Sequence, residues 1–268
     1  MAAGIYEADA SLDVDLYART ILGWDRARLL TQQGSAAPPA LEPRFSEWIA
    51  RREQREPSAY IVGMREFWGL DFAVTPAVLI PRPETEFIIE EALPLLRARN
   101  APRAADIGTG SGCLAVTLAH EVAGCQVVAS DLSAEALVVA RRNAERHGVE
   151  TRVQFVNVSY LDGVDGPFDV IVANPPYVRD RDKPALSRDV RHEPDVALFG
   201  GSDGLRDIGG VLATAQAKLA PGGWFVMEFG YGQEDAVRDL IAATPALRLD
   251  HIHLDLQDIP RTAVIQRQ

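Results

Sequence analysis

Asn174-Pro175-Pro176-Tyr177 concentrates more chemistry in four positions than any other stretch of this 268-residue chain. Two prolines stiffen a loop, remove two N–H donors and leave carbonyls free to point into a pocket. The Asn174 side-chain oxygen and the Pro175 carbonyl are then two convergent acceptors, enough to take both hydrogens of an –NH2 group. Tyr177 can stack on the flat group that bears it. An amide nitrogen is a poor nucleophile because its lone pair is delocalised into the carbonyl. Holding its hydrogens turns the lone pair toward an electrophile and stabilises charge developing on nitrogen. Each such hydrogen bond contributes about 0.5–1.5 kcal/mol net, and more where the nitrogen becomes positive. Aligning the nitrogen with its electrophile can supply up to ~7–11 kcal/mol. Such chemistry needs no strong general base, and the sequence offers no candidate for one. Alone, Asn-Pro-Pro is also ordinary turn chemistry, so its neighbours decide.

A second bend supplies the electrophile. Asp106-Ile107-Gly108-Thr109-Gly110-Ser111-Gly112 lies between an expected strand and a helix beginning near Cys113. Three glycines let the backbone turn sharply and approach a ligand, and a helix N-terminus behind the loop offers free N–H groups. A dinucleotide fingerprint places its third glycine one residue later, where this chain has Cys113. The tighter spacing after an acidic residue suits the methionine part of S-adenosylmethionine, which has no pyrophosphate to cradle. Asp131 ends the next expected strand, where a carboxylate can accept both ribose hydroxyl hydrogens. The bland alternative is that the glycines only make a turn and Asp131 caps the following helix. A methyl-transfer site requires both bends to open into one cavity, with the Asn174 amide facing it rather than the interior.

The elements that must position these residues follow from periodicity. Leu12, Leu16, Ile21, Leu22 and Leu29-Leu30 recur at helical spacing with breaks at Gly23 and Gly34, and Leu41 to Arg55 reads as a charged amphipathic helix with Phe45, Trp48 and Ile49 inward. Phe67 to Val74 fits a hairpin or extended connector, and Ile80-Pro81-Arg82-Pro83-Glu84 is held extended by its prolines. From Ala104 onward short apolar runs alternate with helices: Ala105-Asp106, Val127 to Ser130, Val153 to Val156, Val170 to Ala173 and Trp224 to Met227. Two further strand candidates lie near Leu247 to Leu254 and Ala263 to Gln266. Near-continuous hydrophobic strands between helices argue for a parallel sheet covered on both faces. Ser133 is a good N-cap for the helix that Gly148 closes.

Composition narrows the function. With 47% hydrophobic and 24% charged residues most of the chain should fold, and no apolar run reaches the ~18 residues of a membrane span. Met1 to Ala10 lacks the pattern of a secretion signal. A net charge of −11 repels a phosphate backbone, and the densest basic group, Arg51-Arg52 and Arg55, is interrupted by Glu53 and reads as a solvated helix face. The five histidines and two cysteines show no metal-ligand spacing. His251 and His253 read as surface residues, Cys113 as small helix packing, Glu193 as a surface carboxylate that could also line the pocket, and Trp24, Trp48 and Trp68 as core or interface anchors.

Together these motifs resemble the HemK/PrmC family of release-factor glutamine methyltransferases, from about Tyr60 to the C-terminus. The resemblance rests on Ala59 to Gly63, Ile80 to Glu86, the glycine loop, Asn174 to Tyr177, Glu193-Pro194 before Ala197-Leu198, Asp203-Gly204-Leu205 and Glu228-Phe229-Gly230. It implies an α/β fold, a seven-stranded class I methyltransferase (Rossmann-like) sheet with a small N-terminal helical domain. Residues 1–62 would form that substrate-recognition domain, 63–80 a β-hairpin or extended connector, and 81–268 the S-adenosylmethionine-dependent domain. The implied reaction is methylation at N5 of the glutamine in the Gly-Gly-Gln loop of class I peptide chain release factors. Carried over by position, Gly108, Thr109, Gly110, Ser111, Gly112, Asp131, Ser159 and Asn174 would hold the cofactor. Asn174, Pro175, Pro176 and Tyr177 would hold the glutamine, with Asn174 and Pro175 catalytic, and Arg82 to Glu84 near the junction. The expected setting is a cytoplasmic monomer with a protein substrate, without direct nucleic-acid or membrane contact and without metal. Where the family has an aspartate-tryptophan pair near the adenine, this chain has Val158-Ser159, with Tyr160 able to supply a ring one position later. The first helix is short for the family, implying a trimmed N-terminal domain.

Other readings use the same residues. Asn-Pro-Pro-Tyr is shared with adenine-N6 methyltransferases acting on DNA or RNA, which would need a basic channel and usually a recognition domain. A non-catalytic cofactor-binding partner module and a dehydrogenase are the others.

Overall fold

The computed structural model describes residues 7–32 and 34–268. Met1 to Tyr6, part of the stretch read for a secretion signal, and Gln33 lie outside the described residues. The chain divides into two compact units, the smaller carrying the helices up to Met64 with residues 187–192, the larger residues 65–186 and 193–268.

The smaller unit contains α1 (Glu7–Leu22), α2 (Arg26–Thr31), α3 (Glu42–Glu53) and α4 (Ser58–Val62). Asp25 starts α2 by accepting the Arg28 N–H at 2.7 Å, a conventional N-cap. The inward side of α1 differs from the leucine pattern. Leu12, Leu16 and Leu30 are exposed, whereas Tyr17 is fully buried against Trp48 of α3, ring centroids 5.4 Å apart and edge to face. Tyr17 Oη also meets Ser58 Oγ at 2.9 Å. An aromatic pair with a polar handle does more for a small core than leucines at the rim. The basic group at the end of α3 is not a solvated face. Arg52, with its side chain 11% exposed, lies 2.7 Å from Asp13 and 2.9 Å from Asp189, and Arg51 bonds Glu56. The acids that neutralise Arg52 come from 39 and 137 residues away.

The larger unit opens with a hairpin of β1 (Met64–Phe67) and β2 (Leu70–Ala73), followed by α5 (Glu86–Arg97). Then come β3 (Arg103–Ile107), α6 (Cys113–Glu121), β4 (Gln126–Asp131), α7 (Ala134–Arg146), β5 (Val153–Asn157) and β6 (Phe168–Ala173). After a long irregular stretch containing α8 (Asp195–Leu198), the chain forms α9 (Arg206–Lys218), β7 (Leu219–Glu228), α10 (Glu234–Ala242), β8 (Leu247–Leu254) and β9 (Pro260–Arg267). Seven strands make one sheet in the order β5-β4-β3-β6-β7-β9-β8. The first five are parallel, and β9 runs antiparallel to both β7 and β8.

Strand residues alternate between two cores, as a pleated strand requires. Ala104, Val127, Val170 and Val226 face the layer of α5, α6 and α7. Ala105, Val128, Ile171 and Phe225 face that of α9 and α10. Both faces are covered, which is why the strands read as unbroken apolar runs. Ser133 caps α7 by accepting the Ala136 N–H at 3.1 Å, as its sequence position indicates. Of the two β8 histidines, His251 is exposed, but His253 is half-buried, stacked on Phe87 at 4.7 Å with Nδ1 2.8 Å from Glu91. Among the described residues no helix is long and apolar enough to cross a membrane.

Removing the ring that anchors the helical unit, Trp48→Ala, is expected to cost about 3–5 kcal/mol locally. Hydrogen exchange reads this directly: amides of α1 and α3 should lose protection while those of β3 and β6 keep theirs. Unchanged protection in α3 would contradict the packing described.

Candidate active site

The sheet brings the two bends together. Ile107 at the end of β3 lies opposite Ser130 on β4 and Ala173 on β6, so the three parallel strands finish level. The loops that leave them emerge side by side at the carboxyl edge, where α/β sheets build their sites. One cavity is lined by Gly108 to Ser111 from the first loop, Asp131 from the second and Asn174 to Pro176 from the third. Val158, Ser159 and Tyr160 close it beyond β5, and Arg82 and Thr85 close it from the stretch before α5.

The glycine loop is fastened to the neighbouring strand. The Ser130 carbonyl accepts the N–H groups of Gly108 and Thr109, both at 2.9 Å. Asp131 Oδ2 accepts the Gly110 N–H at 2.8 Å, and its Oδ1 accepts the Ser133 N–H at 2.8 Å. Asp131 thus anchors the loop, while the cap of α7 belongs to Ser133. Each of its oxygens keeps a lone pair for a further donor. Burial raises the Asp131 pKa, against the pull of these backbone donors. A Cβ on Gly108 would meet nothing within 4 Å, so the loop's outer side is open to a ligand. Gly112 faces the other way. A Cβ there would stand 3.1 Å from that of Ala140 on α7, so it permits close packing and does not line the cavity.

Beneath the loop Asp106 is fully buried. Its Oδ2 accepts Thr109 Oγ1–H at 2.6 Å and the Ala115 N–H at 3.1 Å, while Oδ1 has no hydrogen-bond partner among the described residues. Burial pushes its pKa from 3.8 to about 7, with those two donors opposing the shift. Cys113 is a neutral thiol, pushed by burial to about 12, and packs the start of α6.

The tetrad is held by groups to which the sequence reading assigned no role. Asn174 Nδ2 donates to Thr85 Oγ1 at 2.9 Å, Thr85 Oγ1 donates to Glu228 Oε2 at 2.7 Å, and Tyr177 Oη donates to Glu228 Oε1 at 2.9 Å. Asn174 therefore turns its amide oxygen, not its nitrogen, to the cavity. Tyr177 does not line the cavity. Its hydroxyl is drawn to Glu228, and the Glu228 charge with its burial holds it a protonated phenol. Gln233 clamps the backbone from behind, taking the Gly230 N–H at 2.8 Å and donating to the Tyr177 carbonyl at 3.1 Å. Gly204 must be glycine there, because a Cβ would fall 2.3 Å from the Tyr177 carbonyl oxygen. Glu193 is not a surface carboxylate: it is 4% exposed, accepts the Ile80 N–H at 3.0 Å and pairs with Arg82. The signal for Glu228 was a carboxylate closing an otherwise apolar strand. For Thr85 it was only membership of the Ile80 to Glu86 stretch on which the family resemblance rests.

Tyr160 brings its ring to the cavity with φ +50°, its hydroxyl donating to Asp207 Oδ1 at 3.0 Å. Asp207 lines the same cavity.

Comparison with known proteins gives the family and the fold. Residues 2–63 match the PrmC N-terminal domain family and 87–195 the methyltransferase small domain family. The release factor glutamine methyltransferase of Bradyrhizobium diazoefficiens is 43% identical over 258 residues, 94% of this chain and 86% of that protein. That of Geobacter sulfurreducens is 44% identical over 241 residues, 88% of this chain and 82% of that protein. Among solved structures, a methyltransferase from Pyrococcus furiosus aligns with a TM-score of 0.55 at 24% identity, covering 83% of this chain and 98% of its own, a likeness of fold.

Asp106 has a consequence for stability. Its folded pKa of about 7 lies above the ordinary 3.8, so the fold holds a proton that the unfolded chain releases. Stability attributable to this group therefore falls as pH rises from about 4 to about 7, by at most ~1.4 kcal/mol per pH unit. Asp106→Asn, which cannot ionise, is expected to flatten that part of the curve of urea midpoint against pH. Equal slopes in the two proteins would contradict the burial argument.

Proposed function

Because the chain belongs to the release factor glutamine methyltransferase family, we propose that it transfers a methyl group from S-adenosylmethionine to N5 of the glutamine in the Gly-Gly-Gln loop of class I peptide chain release factors. The observation that carries this reading is the Asn174 amide oxygen at the edge of the cavity that the glycine loop also lines.

The residues present fit the donor. Gly108 leaves open space, Asp131 keeps lone pairs for the ribose hydroxyls, and the Asp131 and Asp207 carboxylates that line the cavity suit a ligand carrying positive charge. Gly108 to Gly112, Asp131 and Ser159 hold it in this reading, with Gly112 acting through packing. Tyr160 serves as the ring at the adenine end, fixed by Asp207. S-adenosylmethionine supplies a methyl group made electrophilic by its sulfonium. Asn174 Oδ1 and the Pro175 carbonyl accept the two hydrogens of the glutamine amide and aim its lone pair at that methyl group. The nitrogen would take the methyl carbon as that carbon's bond to sulfur breaks, the electron pair staying on the departing thioether, and would release one proton to solvent. Pro176 stiffens the bend and Tyr177 braces it through Glu228 rather than by stacking. Positioning supplies the larger part of the acceleration.

Residues 1–62 serve to recognise the release factor, a role for which the exposed Leu12, Leu16 and Leu30 give apolar contact area. Residues 63–80 connect, and 81–268 carry the transfer. The net charge of −11 supports a protein rather than a nucleic-acid partner. We read the enzyme as a cytoplasmic monomer, the compartment where release factors work.

Mass spectrometry of a purified release factor after incubation with the protein and donor tests this. The Gly-Gly-Gln peptide should gain the mass of one methylene, with the rate falling on the order of 10²-fold in Asn174→Ala. A peptide unmodified by protein that binds the donor would refute the reading.

A further inference from the structure

We propose that Glu228, acting through Thr85, is a positioning residue that sets which way the Asn174 amide faces and so makes the site an acceptor for NH2. The inference rests on the reading of Asn174 as the group that holds the glutamine amide.

The oxygen and nitrogen of an asparagine amide have nearly the same shape, so packing alone does not choose between its two orientations. Turned the wrong way, Asn174 would offer the substrate NH2 another NH2, donor against donor. Proton inventory makes the choice here. Glu228 is 2% exposed; burial raises its pKa, while the Thr85 and Tyr177 hydroxyls beside its two oxygens favour the ionised form, which has only lone pairs to offer. Thr85 Oγ1 and Tyr177 Oη, at 2.7 and 2.9 Å, must therefore both donate to it. Once the Thr85 hydroxyl hydrogen is committed to Glu228, its oxygen has only lone pairs left for Asn174. Asn174 must then present Nδ2, which lies at 2.9 Å, and its Oδ1 is left for the cavity. Thr85 is itself 2% exposed, so solvent does not offer the amide an easy alternative partner.

One carboxylate thereby fixes both ends of the tetrad, residue 174 through Thr85 and residue 177 directly. The three segments are far apart in the chain, Asn174 lying 89 positions after Thr85 and Glu228 51 positions after Tyr177. Asn174, Thr85 and Pro175 line the cavity, whereas Glu228 does not. It acts on the substrate only by way of the two hydroxyls.

The test compares wild type, Thr85→Val and Thr85→Ser in methyl transfer from labelled S-adenosylmethionine to a purified release factor. Valine keeps the shape of threonine and deletes the hydroxyl, whereas serine keeps the hydroxyl. Thr85→Val should lower kcat at least about tenfold, with calorimetric donor affinity and the KM for release factor within about twofold of wild type. Thr85→Ser should recover kcat to within about threefold. A second readout needs no variant. In wild-type protein carrying 15N-asparagine, the Asn174 side-chain amide protons should show a nuclear Overhauser contact to the Thr85 methyl group. Thr85→Val transferring at the wild-type rate, Thr85→Ser as slow as valine, a loss that tracks donor affinity or thermal midpoint, or absence of that contact would each overturn the proposal. Wild-type protein that transfers nothing to the release factor would instead remove the functional reading, and the proposal with it.

Discussion

Strands that run parallel and end level must release their following loops at the same edge of the sheet. In this protein Ile107 stands opposite both Ser130 and Ala173, and that register is the constraint on which the site depends. It sets the glycine bend, the Asp131 turn and the asparagine-proline bend around one cavity, although 66 residues separate Gly108 from Asn174 in the chain (174 − 108). Local bonds then lock the loops to one another. Ser130 and Asp131 take three N–H groups of the glycine loop, so the first bend is held by the second strand rather than by its own.

A second feature runs through the site: its buried charges are acids, and their partners are mostly hydroxyls and backbone N–H groups instead of guanidinium ions. Asp106, Asp131 and Glu228 are all shifted upward by burial, each opposed by hydrogen-bond donors. Of the three only Asp131 lines the cavity, where Asp207 is a second carboxylate and, among the described residues, no lysine is present, a lining that favours a cationic ligand such as a sulfonium donor over a phosphate. Where Arg82 does enter, its partner Glu193 is held by the Ile80 N–H, so the proline segment, extended to Arg82 but turning into a 3-10 helix at Pro83–Thr85 instead of staying extended to Glu84, is tied to the stretch after the tetrad. The later sequence blocks have the same logic. Gly204 and Gln233 serve the backbone of Tyr177 and Gly230 leaves room for its ring, so their value lies in close approach and clamping.

Much of this was legible in residue order. The five parallel strands, the Ser133 cap and the two bends follow from patterns within a few residues, where periodicity, capping and turn chemistry act. Phe67 to Val74, open between a hairpin and an extended connector, proved to hold the turn and second strand of a hairpin that begins at Met64. The aromatic core of the helical unit was legible in part: Trp48 was expected inward, while Tyr17 was hidden among leucines that face outward. Readings of isolated charges did less well. Arg52 and Glu193 looked like surface residues because their partners, Asp189 and Arg82, lie 137 and 111 residues away.

By itself the sequence determined the glycine bend, the asparagine-proline bend and the alternation that wraps a parallel sheet between helices, since each is a matter of conformational preference and apolar period over short spans. Tertiary structure alone decided the orientation of the Asn174 amide, the withdrawal of Tyr177 from the cavity and the double duty of Asp131. Those outcomes depend on which donor meets which acceptor across the sheet, and a hydrogen bond acts only within about 3 Å, a distance that folding sets between residues far apart in the chain.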